Sequence, residues 1–478
     1  MLYNANLDAD IDATVEPTEF VIAREADAEP ASITATSAVP LDSLPGGTPS
    51  VASQDVARDG DTSARRRNRD KKRKRRERED AGGELAVKRR IQFLARATLL
   101  KSEDYVVRNG RRAKSGYVGI VDRGLDFAFL DGPAARRIKR LLQHQYELIE
   151  FDKLPSEYPI CDSKGKIFAV VLGWPEGWAR RTEAVNRAME QLQETLAGCK
   201  VPPNRRGPFA AYAVGYSYGG GQTQPMPFKR TKREREAINE FLSDPDVEAV
   251  FKYVGGELLS WRWSMVYDPQ STVPTGVMTT WFPQHTADYQ SCLETYQSHD
   301  SALTPPSSHL PFPALTINAG RITVCLPHRD SPNDAAGVCL DWVLGSFDAQ
   351  RGGQLVLHEA QKILALEPGR VILFPSAIIT HETIPIAEGE WRSGVTGYAA
   401  GGLWRYMAQG FMTRGAWEMT GGSEEALRQH DDQGEERWKA GLARFKTLQE
   451  LIHWWTRVAE AAAAQTERVD NEDEDLSA

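Results

Sequence analysis

The chain has 478 residues, a formal net charge of −8 and 41% hydrophobic residues, enough for a large core. The acidic balance argues against nucleic-acid binding unless the charge is unevenly spread, which it is. Its five cysteines (Cys161, Cys199, Cys292, Cys325, Cys339) form no CxxC pair, so neither a disulfide framework nor a cysteine zinc module is indicated, and the absence of a long apolar run or signal peptide fits a soluble intracellular protein.

Residues 1–60 hold eleven acidic side chains against two arginines, Arg24 and Arg58, and read as a disordered acidic segment. Residues 61–82 form a basic arm. Eleven of the fourteen residues from Arg65 to Arg78 are Lys or Arg, among them Lys71, Lys72, Arg73 and Lys74. Such a block stays solvated. It suits a nuclear import receptor or contact with DNA phosphates, and it places the protein in the nucleus; a merely solubilising tract is the plainer alternative.

From residue 83 the pattern is that of folded chain. Apolar spacing predicts helices over Glu84–Leu100, Pro133–Glu150, Thr182–Leu196, Glu234–Leu242 and Val247–Tyr267. Short apolar runs predict strands at Tyr117–Val121, Phe127–Leu130, Lys166–Trp174 and Ala210–Tyr218. The last of these stops at Gly219-Gly220-Gly221-Gln222, a hairpin turn or a point of close backbone approach. The proline-rich stretch Pro269–Pro313 shows no clear period. Strands then follow in quick succession: Leu315–Asn318, Ile322–Leu326, Gly337–Gly345, Gly353–His358, Ile363–Leu366, Val371–Pro375 and Ser393–Tyr398. Regular turn signals between them predict an antiparallel sandwich or jelly roll, hence an α+β chain with flanking helices. Ala426–Ala464 reads as one or two helices whose stripe of Trp438, Phe445, Leu448, Leu451, Trp454 and Trp455 is core packing. The acidic tail, 465–478, is expected to fray.

The strand-rich region carries His328-Arg329-Asp330, then His381 fifty-three residues on, then Arg392 after eleven more. Residues two apart on a strand share a face, and a histidine returning on a neighbouring strand closes a three-ligand set. Two histidines and a carboxylate suit Fe(II) and leave positions open for O2 and a co-substrate. Arg392 suits a two-pronged clamp on the far carboxylate of 2-oxoglutarate, with Thr396 on the same strand face and Asn318 as a further polar candidate. The other seven histidines lack a second ligand at usable spacing.

The motif His328-Arg329-Asp330-Ser331-Pro332-Asn333 resembles that of the TET/JBP family of nucleobase dioxygenases. The segments YSYGGGQTQP, FPALTINAG, GGQLVL, PGRVILFPSAIITHETIPI and YAAGGLWR resemble its fungal, transposon-associated branch, covering roughly 210–411. The resemblance implies a double-stranded β-helix domain over 83–423 with a catalytic core at 310–411, followed by C-terminal helices over 424–464. It also implies Fe(II), 2-oxoglutarate and O2 as cofactor and co-substrates, and Asn333 as the residue that reaches the target base. Double-stranded methylated DNA would be the partner and 5-methylcytosine the substrate, oxidised to its hydroxymethyl, formyl and carboxyl forms. N6-methyladenine is the rival base and thymine a third. A protein hydroxylase and a catalytically dead DNA-binding protein are the rivals of other classes. Two departures stand out. The family's Arg-x-Ser-x-Thr is here Arg392-Ser393-Gly394-Val395-Thr396, leaving Ser393 or Thr396 to replace the missing hydroxyl. No cysteine-rich module is present, so DNA contact is assigned to Gly219, Gly220, Gly221, Gln222 and the basic arm.

Overall fold

A computed structural model describes residues 87–110, 113–120, 134–199, 204, 206–256, 276–420 and 424–475, all within one compact unit. The acidic segment, the basic arm with Lys71–Lys74, the expected strand Phe127–Leu130 and the distal part of the helix expected over Val247–Tyr267 lie outside the described residues.

Thirteen strands are described: β1 (Leu100–Lys101), β2 (Glu147–Ile149), β3 (Tyr158–Cys161), β4 (Ile167–Val171), β5 (Ala211–Ser217), β6 (Met226–Pro227), β7 (Ala314–Asn318), β8 (Cys339–Ser346), β9 (Leu355–Leu357), β10 (Lys362–Leu364), β11 (Val371–Phe374), β12 (His381–Thr383) and β13 (Trp391–Tyr398). They form a large sheet, β1-β3-β4-β11-β8-β13-β7-β5-β6, and a small one, β12-β9-β10-β2. Pairing is antiparallel except at β1–β3 and β2–β10. From β7 onward the chain winds between the sheets. It leaves the large sheet after β7 and pairs His328 with His381 beside the small one. It then returns as β8, crosses to β9 and β10, and alternates again through β11, β12 and β13. That winding is a double-stranded β-helix, the jelly-roll architecture expected from the strand texture.

The helices explain why central strands read as unbroken apolar runs. All five residues of β4 are buried, as befits a strand covered on both faces. Helix α3 (Trp178–Thr195) lies on the outer face of the large sheet. Its Asn186 bonds both backbone groups of Gly345, and its Trp178 Nε1 donates to the Gly369 carbonyl at 3.0 Å. Helices α4 (Lys232–Leu242) and α5 (Pro245–Gly255) pack beside it, each opened by a side-chain cap, Thr231 and Asp244.

Several expectations are corrected. Helix α2 ends at Gln143, not Glu150; Gln145 takes a left-handed φ of 66°, and the chain then enters the small sheet as β2. Tyr117–Val121 and Ile322–Leu326 are not strands. They contribute single bridges, Val118 to Asp334 and Ile322 to Arg392, because each segment wraps a barrel end instead of running along a neighbour. The stretch without a period contains α6 (Val277–Trp281) and α7 (Pro283–His299), both mostly buried, so no polar face marked them. The C-terminal region holds three helices, α10 (Glu424–Asp432), α11 (Gly434–Ala443) and α12 (Leu448–Asp475), and α12 runs on through the acidic residues expected to fray. Trp438, Phe445, Leu451 and Trp455 are core residues, with Leu448 and Trp454 packed against them.

Candidate metal centre

The antiparallel bridge between His328 and His381, with backbone N···O distances of 3.0 and 2.9 Å, sets the two imidazoles side by side at 4.3 Å between centroids. Each ring has its Nδ1 against the carbonyl two residues earlier, His328 to Leu326 at 2.6 Å and His381 to Ile379 at 2.9 Å. A carbonyl only accepts, so Nδ1 carries the proton and Nε2 presents its lone pair. Asp330 completes the group: its oxygens lie 3.7 Å from His328 Nε2 and 3.9 Å from His381 Nε2, and all three donor atoms fall within 4.8 Å of one another. Among the described residues this is the one cluster able to hold a metal ion.

The protonation states suit a ligand set. Burial and the neighbouring His381 push the pKa of His328 well below its ordinary value, so it is a neutral donor at pH 7. Burial alone would raise the pKa of Asp330, but His328, His381 and Arg206 override it and keep the carboxylate ionised. Ser376, fully buried, bonds Asp330 and also receives Asn333 Nδ2 at 3.4 Å.

Arg392 lies on the strand face turned toward this group. Its side chain is buried, Nη1 donates to the Thr323 carbonyl at 3.1 Å, and Nε and Nη2 have no partner. A buried guanidinium with two idle donors is costly unless an acceptor arrives. Asn318 Oδ1 is likewise buried without a partner. The donor set and the orphaned guanidinium together fit Fe(II) with 2-oxoglutarate: His328, Asp330 and His381 as metal ligands, Arg392 for the far carboxylate.

The remaining expected residues divide. Gly394 faces Asn318 across the sheet, and a Cβ there would meet the Trp342 carbonyl at 2.8 Å, so even a serine needs the sheet to shift. Ser393 does not replace the missing hydroxyl. It points outward, donating to Gly320 O at 2.7 Å and accepting from Gln193 on α3 at 2.8 Å. Thr396 faces inward and stays half-buried, its hydroxyl 3.5 Å from Thr316 O. Asn333 is buried, with Nδ2 turned to Cys339 Sγ at 3.3 Å and to Ser376. Gly219–Gln222 forms the tip of the β5–β6 hairpin, as the turn reading required; Gln222 Oε1 accepts from Gly219 N at 3.0 Å and so braces the turn.

Three residues not singled out from the sequence also face the centre. Arg206 follows a glycine- and proline-flanked loop, and Asp330, Cys325, Tyr398 and Asp341 together outweigh the burial that would lower its pKa. Burial pushes the pKa of Asp341 up, with Arg392, His381 and Arg206 opposing. Tyr398 accepts from Thr316 Oγ1 at 3.3 Å. Asp341 and Tyr398 were legible only through strand phase: they share the inner face with Arg392 and Thr396.

No family model matches the chain, and no curated protein matches it. Among solved structures it is similar to NgTET1 in complex with 5mC DNA, at 16% identity and a TM-score of 0.36, covering 58% of this chain and 91% of that one. It is also similar to an oxidoreductase of the 2OG-Fe(II) oxygenase family from Burkholderia pseudomallei, at 15% identity and a TM-score of 0.24, covering 48% and 85%. Likenesses this distant carry no argument about activity; the fold rests on the strand order and the centre on its own geometry.

Proposed function

We propose that the protein is an Fe(II)- and 2-oxoglutarate-dependent dioxygenase that oxidises the methyl group of 5-methylcytosine in duplex DNA, through hydroxymethyl to formyl and carboxyl products. The observation that carries the reaction class is the pairing of a preset His328–Asp330–His381 face with a buried, half-idle Arg392. The base is supported by the resemblance of the His328–Asn333 motif and by the basic arm.

Bound Fe(II) and 2-oxoglutarate supply oxygen activation, with release of succinate and CO2 and hydroxylation of a C–H bond. The chain's own groups prepare for it. His328 and His381 hold their Nε2 lone pairs inward, and Ser376 fixes the Asp330 carboxylate. Arg392 orients the co-substrate through its fork. Ile372 and Phe374 on β11, buried beside Asp341 and Cys339, keep that wall dry. A methylated base in a duplex reaches such a centre only by leaving the stack, at a cost of a few kcal/mol that backbone contacts must offset.

The test is incubation of the full chain with Fe(II), 2-oxoglutarate and duplexes carrying 5-methylcytosine or N6-methyladenine, followed by mass spectrometry of the nucleosides. Oxidised cytosine that disappears in the His328→Ala/Asp330→Ala variant is the expected result. Loss of the adenine methyl instead would transfer the activity to that base. Succinate without change in either base would point to a protein substrate, and no succinate at all would leave a DNA-binding protein without catalysis.

A further inference from the structure

A second feature of the mouth of the barrel lies on the open edge of the large sheet. At one level of the strands, register aligns Asp341 on β8, Thr396 on β13, Thr316 on β7 and Ala213 on β5. Except for Thr316, these residues stay half-exposed. The inward residues of β5 are Ala211, Ala213 and Gly215, all small. They leave a shallow trough leading from the metal ligands to the sheet edge.

What borders that trough is basic. After β6 the chain doubles back along β5, Phe228 N bonding Gly215 O at 3.0 Å. It then presents Lys229, Arg230, Lys232, Arg233 and Arg235, five cations in seven residues. Lys229, Lys232, Arg233 and Arg235 are exposed. Arg230 is half-buried over the Tyr212 ring, close enough to Tyr398 for the two to interact, and its Nε has no partner. Local acids do not consume this charge. Glu234 is engaged in the Thr231 capping box, and the nearest ion pair, Lys232 to Glu236, is exposed and 3.8 Å long. Three of the cations occupy the first turn of α4, where the helix dipole disfavours them.

The geometry also limits what can dock. Pro225 and Pro227 bracket Met226 on the edge strand, so the edge cannot accept an added strand along its length. The hairpin tip stands free: a Cβ at Gly219, Gly220 or Gly221 would meet nothing within 4 Å. Its base is rigid, Tyr218 packing on Tyr406 at 4.6 Å and Gly402 fitting under the Tyr218 carbonyl. Gly401, next in line, lies against the Asn333 carbonyl, so the hairpin flanks the Asn333 side of the centre.

We infer that Lys229–Arg235, beside the free hairpin tip, is the edge on which the phosphodiester backbone of a nucleic-acid duplex docks next to the target nucleotide. This rests on the nucleic-acid reading above and deepens it. The recognition is of regularly spaced phosphates, which exposed Lys and Arg neutralise with release of counterions. The trough then receives the nucleotide drawn from the stack.

The test uses the full chain and a fluorescent 5-methylcytosine duplex, with affinity measured across a salt series. Lys229→Ala/Arg230→Ala/Lys232→Ala should weaken binding about tenfold and lower the slope of log affinity against log salt by about 2 to 3. Lys229→Ala/Lys232→Ala, confined to exposed residues, guards against misfolding and should lower it by about 2. Arg136→Ala/Lys139→Ala/Arg140→Ala removes the same charge from the exposed face of α2 and should leave the slope near wild type. Slopes unchanged in the first two variants, while wild type binds, would overturn the docking edge and leave the proposed function standing. An equal fall in the α2 variant would also overturn it, as a net-charge effect. A wild-type chain that binds no duplex would overturn both.

Discussion

At the scale of single residues the centre is built from groups whose partners are already chosen. Arg392 is the clearest case: one donor is used and two are idle in a buried setting. Arg392→Lys keeps the charge and loses the fork, so the KM for 2-oxoglutarate should rise at least about tenfold with a smaller change in kcat; an unchanged KM in steady-state assays would remove Arg392 from co-substrate binding. Ser376 makes a different kind of claim. It joins Asp330 to Asn333 and touches no substrate. Ser376→Ala should weaken Fe(II) affinity about 10- to 100-fold, as loss of a group behind a ligand does, and Ser376→Thr should recover much of it. Metal titration followed by tryptophan fluorescence reads both. The ligands themselves were legible in the sequence because two-residue spacing and a returning histidine are strand geometry. Ser376 was not, because a serine after a Phe-Pro turn carries no periodic signal.

At the scale of elements, the loop that follows the metal ligands is held from outside the barrel. Tyr289 on α7 bonds both the N and O of Val338, His285 Nε2 meets Ala336 O at 2.9 Å, and Arg444, after α11, pairs with Asp334 at 2.7 Å. Asp334 adjoins Asn333, so the clamp and the centre share one segment. Arg444→Leu leaves the Asp334 carboxylate poorly compensated and should cost about 3–5 kcal/mol, read as a lower denaturant midpoint; a loss under about 1 kcal/mol would mean the pair sits in more water than its burial indicates. The strands of the core were readable because turns separate them at short intervals. Helices α6 and α7 were not, because a helix buried on most sides has no polar stripe to set its period. The end of α2 was missed for a local reason: Gln145 adopts a conformation usually left to glycine or asparagine.

At the scale of the whole molecule, one buried acid couples stability to pH. Glu157 is buried, accepts from Tyr253 at 3.1 Å and leaves its other oxygen unpartnered, and burial pushes its pKa from 4.5 up to about 7. Between those values the folded state holds a proton that the unfolded chain has released, so stability falls as pH rises through this window and levels off above it. The loss is about 3 kcal/mol at most. Glu157→Gln keeps an acceptor for Tyr253 and removes the charge; its melting temperature should exceed that of wild type at pH 8 and match it near pH 4.5, and a parallel shift at both would refute the assignment.

The clamp through Arg444 has a further consequence for how the protein is made. Asp334 waits for a residue 110 positions later, Thr280 for Trp455, and Lys166 for Thr447. Contacts between such distant stretches close last and slowly, and synthesis runs from the N-terminus. The barrel strands leave the ribosome well before the segment that braces them, so the nascent centre stands unbraced until the final few dozen residues emerge. A chain cut short before Arg444 would retain every ligand and still lack the means to hold them in place, which makes the C-terminal helices the checkpoint at which this protein becomes competent to take up its metal.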